Sequence, residues 1–407
     1  MHGQFLLGAG VVLGALALAG LLFLRVRQSV IPAFILLGVA LRPEHFDPHL
    51  VDSIATVGVV LLLFSMGLEF SLGTLLRNRR QITRSGSIDL LFSFPAGLAG
   101  GLLLGYGWAG ALLFAGAFYV SSSAIIAKSV IELRRAADPE TEVALGVLVF
   151  EDIFIALFLA LLSGAVLVDD PSLASAAWGV AKALIFFGVV VLVALRARPV
   201  LDRLFDIDSD DLFLLLAGAV VLLLSWGALT AGLSEAIGAF LAGLALAETR
   251  HRERAERLFA PLQGVFAATF FFGFGLSIDP RTFGSVWLPA LGLTVLAVAA
   301  KVAGGWVAGR RSGLSRRGAL SLGLTLIARG EFSIILAGIA VSAGLAELGA
   351  LIALLVLALS LLGTAGLQYA PQITRRVFPR QAERSLEERG FSPHLAAMDP
   401  DPPPGSP

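Results

Sequence analysis

The sequence predicts an all-α polytopic membrane protein of about thirteen transmembrane helices, two of them interrupted. Three observations predict it: a composition poor in charge, apolar blocks of bilayer length, and basic residues that alternate between successive connections. Of the 407 residues, 57% are hydrophobic and 15% charged, with a mean hydropathy of +0.86. A soluble chain carries about 25% charged residues. The apolar blocks run to roughly 20 residues, the helical length that crosses the hydrocarbon core of a bilayer.

In order, the spans read near 5–24, 29–41, 51–70, 88–107, 109–130, 142–163, 174–195, 211–229, 231–248, 258–277, 284–308, 318–342 and 345–368. The first is not a secretory signal, because its cationic residues, Arg25 and Arg27, follow the apolar run instead of preceding it. The second and ninth are short and call for tilt, a break or local thinning of the bilayer. Residues 1–370 form a single transmembrane domain. Residues 371–407 form a polar, Pro-rich cytoplasmic tail, which reads as disordered.

Orientation follows from the Lys and Arg residues, which collect in cytoplasmic loops. All but five of the 30 lie in odd-numbered connections or the tail. The exceptions are Arg42 and Arg281 in even connections and Lys182, Lys301 and Arg329 inside spans. The N-terminus is therefore placed outside and the C-terminus in the cytoplasm, and the membrane is read as the plasma membrane of a prokaryote-like cell.

Composition also excludes function classes. A net charge of +0 offers no basic domain for nucleic acid. The absence of Cys removes disulfides, thiolate metal sites and cysteine nucleophiles. The five His lie outside the apolar blocks, so no embedded imidazole serves a metal or proton relay. No phosphate-binding G-x-x-x-x-G-K-[ST] loop is present. The reading is of a non-enzyme without cofactor, driven by an ion gradient or passive, with no metal beyond a transported alkali cation.

An ionisable group near the middle of a span costs about 2.5–3.5 kcal/mol on insertion scales and so marks function. The sixth span places Glu151 and Asp152 side by side at mid-depth. Neighbours on a helix point about 100° apart, so the two carboxylates do not face one partner equally. A carboxylate withdrawn from water holds a proton more readily, and once deprotonated it offers hard oxygens to a cation. Competition of H⁺ and a cation for one group is the minimum for antiport. Lys301, deep in the eleventh span, is the expected partner of Asp152 or Glu151, yielding when a cation binds; a fixed structural ion pair is the alternative.

Ser121, Ser122 and Ser123 in the fifth span can satisfy backbone groups where a helix unwinds and offer oxygens to an ion. In the twelfth span, Arg329, Gly330 and Glu331 mark a second break, whose charges either neutralise exposed helix ends or contact the ion. Two interrupted helices in the two halves of a long bundle point to an inverted-repeat transporter with a midplane site. Glu69 and Glu248 sit near span ends; Glu235 reads as a helix cap, with lining of the pathway as the alternative. The Phe266–Phe274 stretch reads as lipid-facing and packing surface, with Gly273 and Gly275 as points of flexure.

Six segments then resemble the monovalent cation:proton antiporters, in the branch of Kef-type potassium/proton antiporters and their sodium/proton relatives. They are Leu61 to Phe70, Ser121 to Ile125, Phe150-Glu151-Asp152, Gly238 to Gly243, Lys301 with its following Gly pair, and Ala328 to Phe332. The resemblance covers residues 5 to 368. It implies a thirteen-helix fold with a core domain, built on two crossing interrupted helices, and a dimerisation domain, in a homodimer. It also implies that Asp152 binds the cation and the proton, with Lys301 as the buried lysine and the two breaks at Ser121–Ser123 and Arg329–Glu331. Glu151 departs from the family, where potassium-type relatives often carry Gln and some sodium-type relatives Asp. The expected function is exchange of K⁺, more than Na⁺, for H⁺ by alternating access. The rivals are a gated K⁺ efflux channel on the same scaffold and a membrane sensor without transport. Regulation by a separate cytoplasmic subunit is expected, since no nucleotide-binding domain follows the last span here.

Overall fold

The computed structural model describes residues 2–379, apart from 27, 42–47, 70–71, 136, 232–234 and most of 167–197. Every regular element described is helical. In chain order these are α1 His2–Arg25, α2 Ile31–Ala40, α3 Pro48–Glu69, α4 Leu72–Leu103, α5 Gly107–Tyr119, α6 Ser123–Glu132 and α7 Pro139–Val166. Then follow α8 Arg198–Leu204, α9 Asp210–Thr230, α10 Glu235–Ala247, α11 Arg252–Leu276, α12 Phe283–Arg311, α13 Arg316–Thr325, α14 Glu331–Ser342 and α15 Ala346–Val377.

Six of the described helices, and the interrupted pair α5 and α6 taken together, are long and apolar enough to cross a bilayer, accompanied by shorter apolar ones. This is an all-helical polytopic membrane protein. The described helices do not by themselves return thirteen continuous spans, for physical reasons. The fifth and twelfth spans are each divided in two, and most of the seventh lies outside the described residues. The last helix continues through Val377, so the first residues assigned to the tail are helical; residues 380–407 lie outside the described residues.

The ends of the helices follow local chemistry. Ser209 accepts the N–H of Leu212 at the start of α9, and Ser315 accepts that of Gly318 at the start of α13. The turn from α12 to α13 passes through Gly313 at φ +84°, a left-handed conformation that a side chain resists. One helix starts earlier than its apolar block implies. The fourth span read from residue 88, yet α4 begins at Leu72 and carries Arg77, Arg79, Arg80 and Arg84 as helix. At 1.5 Å per residue it is about 48 Å long, enough to project beyond the hydrocarbon.

The helices pack as two bundles. The first joins α1, α2, α3, α9, α10 and α11; the second joins α4 to α7 with α12 to α15, and contacts between the two are sparse. The first bundle closes on glycines. A Cβ on Gly67 would strike the carbonyl of Phe240, and one on Gly243 the carbonyl of Phe64, so α3 and α10 cross backbone to backbone. Gly38 and Gly275 do the same for α2 and α11. Of the two roles read for the phenylalanine stretch, packing holds for Phe270, Phe271, Phe272 and Phe274, which are buried and not lipid-facing, and Gly275 lies against the backbone of α2.

Candidate functional site

The second bundle is organised around two breaks. Helix α5 ends at Tyr119, the chain runs extended at Val120, and α6 starts at Ser123. Helix α13 ends at Thr325 and α14 starts at Glu331. The two linkers cross: the N–H of Ser122 donates to the carbonyl of Ala328 at 2.9 Å. Gly330 permits the crossing, because a Cβ there would lie 2.5 Å from Ser122 Oγ.

Four half-helix ends thus lie inside the protein, and each exposes backbone groups that need partners. Arg329, fully buried, answers the two C-terminal ends. Its guanidinium donates to the carbonyl of Phe118 at 2.7 and 3.0 Å, to Ile327 at 2.9 Å and to Leu326 at 3.1 Å. Glu331 answers the N-terminal ends, accepting from Ser122 Oγ at 2.8 Å and from the backbone N–H of Ala124. A cation sits where the helix dipoles are negative and an anion where they are positive.

The neighbouring acids of α7 divide. Glu151 is sealed, with 0% exposure; it accepts the backbone N–H of Ser121, Ser121 Oγ at 3.1 Å and Lys301 Nζ at 2.7 Å. Asp152 is half-buried and accepts Ser123 Oγ at 2.9 and 3.0 Å, next to exposed Ala124. Of the two partners expected for Lys301, the one it bonds is Glu151. Glycines bring its helix in: Gly304 packs against Asp89 of α4, and Gly305 against Gly323 of α13. A Tyr119 ring 5.0 Å from Lys301 Nζ, backed by Phe94 and Phe154, walls off this side with aromatic surface.

A family description, "Sodium/hydrogen exchanger, transmembrane", matches residues 12–369. The chain belongs to that family. Among similar proteins, the "K(+)/H(+) antiporter subunit KhtU" of Bacillus subtilis is 40% identical over 378 residues, covering 89% of this chain and 92% of the relative. The "Ammonium/H(+) antiporter subunit AmhT" of Alkalihalophilus pseudofirmus is 32% identical over 385 residues, covering 94% and 97%. Among solved structures, the sodium proton antiporter MjNhaP1 of Methanocaldococcus jannaschii shares the fold, with a TM-score of 0.69 at 16% identity, over 91% of this chain and 99% of that one. The protein is thus a member of the monovalent cation:proton antiporters, as the six segments implied.

Within this exchanger fold, one residue of the cluster escaped sequence reasoning. Asp89, 0% exposed, receives Lys301 Nζ at 2.6 Å, so a single ammonium joins two carboxylates. Asp89 lay at the edge of the span read from residue 88, where water would excuse an acid. The true start of α4 places it mid-helix. The discoverable signal was the pattern itself: residues 82–94 read apolar and small except for this acid, a few polar hydroxyls and Arg84.

Proposed function

We propose that this family member exchanges a monovalent cation, K⁺ in preference to Na⁺, for H⁺ by alternating access, with Asp152 taking either ion. The observation that carries the reading is the division of the two acids. Glu151 is sealed and committed to Lys301, whereas Asp152 lies half-buried beside the start of α6, with the Ser123 hydroxyl on it. A carboxylate at the edge of a helix break has oxygens and backbone dipoles to replace part of a cation's hydration shell. Arg329 and Glu331 hold the crossing together, and Lys301 balances Glu151. The name of the Bacillus subtilis relative supports K⁺.

The finer architecture belongs to the same proposal: thirteen crossings in an inverted repeat, N-terminus outside, C-terminus cytoplasmic, in the plasma membrane. The glycine-packed first bundle forms the homodimer interface and the second moves against it. The word "subunit" in two relatives' names supports a separate regulatory partner. No enzymatic activity is assigned.

The test is proton flux in proteoliposomes carrying a pH-sensitive dye, with KCl or NaCl added outside. The wild type is expected to move protons against the cation, with half-saturation at lower K⁺ than Na⁺, and to slow when both faces are acidified. Asp152→Asn is expected to abolish exchange while the protein stays folded. Full exchange by that variant would overturn the role of Asp152. Cation conduction without proton movement would instead identify a channel.

A further inference from the structure

Lys301 bonds one carboxylate at the helix breaks and one away from them. Glu151 neighbours Asp152 in α7 and accepts from Ser121 in the first linker. Asp89 belongs to α4, which packs on α5, α7 and α12, and Lys301 is its hydrogen-bond partner. Its second oxygen, Oδ1, makes no protein hydrogen bond, although the residue is completely buried. A buried carboxylate ordinarily gathers several donors. Asp89 has the ammonium and little else, so its position in the fold is explained by Lys301.

The charge count gives this pairing a consequence. Two carboxylates and one ammonium leave one net negative charge in a dry cluster, adjacent along α7 to the half-buried Asp152; the buried Arg329 and Glu331 at the crossing add one charge of each sign. With Glu151 as its sole partner, Lys301 would cancel that carboxylate, and the cluster would be neutral. We propose that Asp89 is a positioning residue of the exchange cycle: it shares the Lys301 ammonium, so that Glu151 retains negative charge which strengthens cation binding at Asp152. The proposal rests on the exchange reading and adds the group that sets its cation affinity. Charges interact strongly where water is excluded, and removal of one unit from the neighbourhood of an ion site changes affinity on the order of tenfold.

The experiment compares wild type, Asp89→Asn and Asp89→Asn/Lys301→Gln in two measurements. One is KM and maximal rate for KCl, with NaCl in parallel, from proton flux in proteoliposomes. The other is the KCl concentration giving half-maximal thermal stabilisation of the purified protein. For Asp89→Asn, both KM and the binding midpoint are expected to rise about tenfold, with the maximal rate within about threefold of wild type. The double variant restores the net negative charge, and its binding midpoint is expected within about twofold of wild type.

A lowered maximal rate with unchanged KM and midpoint would show a merely structural Asp89 and overturn the proposal. If Asp89→Asn does not fold, the double variant decides, because in it Glu151 keeps the Ser121 backbone N–H and hydroxyl as donors. A midpoint tenfold weaker than wild type in that variant would also overturn it. Absence of proton flux in the wild type would reject the exchange reading separately, leaving the binding midpoints to judge Asp89.

Discussion

The two bundles solve the same problem, packing helices in a bilayer, with different chemistry. In the first, α3 crosses α10 and α2 crosses α11 on facing glycines, and no Asp, Glu, Lys or Arg among its described residues is fully buried. In the second, Asp89, Glu151, Lys301, Arg329 and Glu331 are all buried, each with 3% exposure or less. Lipid tails are as apolar as a leucine side chain, so close backbone contact is a sufficient glue for the first bundle. Buried charge does not compete with it as a source of stability, since desolvation offsets most of the Coulomb gain. The second bundle therefore carries its charges for another reason, and two broken helices with ends to neutralise and an ion to move supply it.

That contrast can be broken by mutation, beginning with the largest effect. Arg329→Met strips the carbonyls of Phe118 and Ile327 of their guanidinium donor at once and leaves that of Leu326 only the Ser121 hydroxyl. An orphaned buried polar group costs about 1–3 kcal/mol, so several together should lower the melting temperature in detergent steeply and cut the folded yield. A near-wild-type melting temperature would mean that the crossing is held by something other than its charges. Gly243→Val in the first bundle comes next. Its side chain would press on the backbone at Phe64 and cost about 1–3 kcal/mol by overpacking, yet cation KM in the protein that folds should stay put. A shifted KM there would erase the functional distinction between the bundles. Smallest is Arg252→Ala, at the start of α11. Its 2.7 Å pair with Glu256 is partly exposed (32% and 38%), so the expected loss is below about 0.5 kcal/mol by thermal melting.

How much of this was legible depended on the range of the interaction. Both breaks could be read at their own residues, because a row of serines and a glycine between opposite charges are local features. The division of labour between Glu151 and Asp152 was legible only as an angle: adjacent positions had to face apart, but which of them faced Lys301 depended on where α12 settled. Asp89 was missed because an apolar window places the start of a helix where charge stops. Helix α4 runs on through four arginines, and at about 48 Å it is longer than the hydrocarbon is thick. The phenylalanine stretch stayed open between lipid and packing for a related reason. A fully apolar segment suits lipid and a packed helix interface alike, and the glycines beside it, not the aromatics, decided for the interface.

By itself the sequence determined that this protein lives in a bilayer, which of its connections gather positive charge, and that ionisable groups lie inside its apolar segments. Each of these follows from the hydrocarbon core, which reads a helix one window at a time. Only the tertiary structure decided that Lys301 joins Glu151, 150 positions away, to Asp89, 212 positions away. A salt bridge forms where helices bring charges together out of water, and that meeting is set by the glycine contacts of α12 with its neighbours, which no single window of sequence contains.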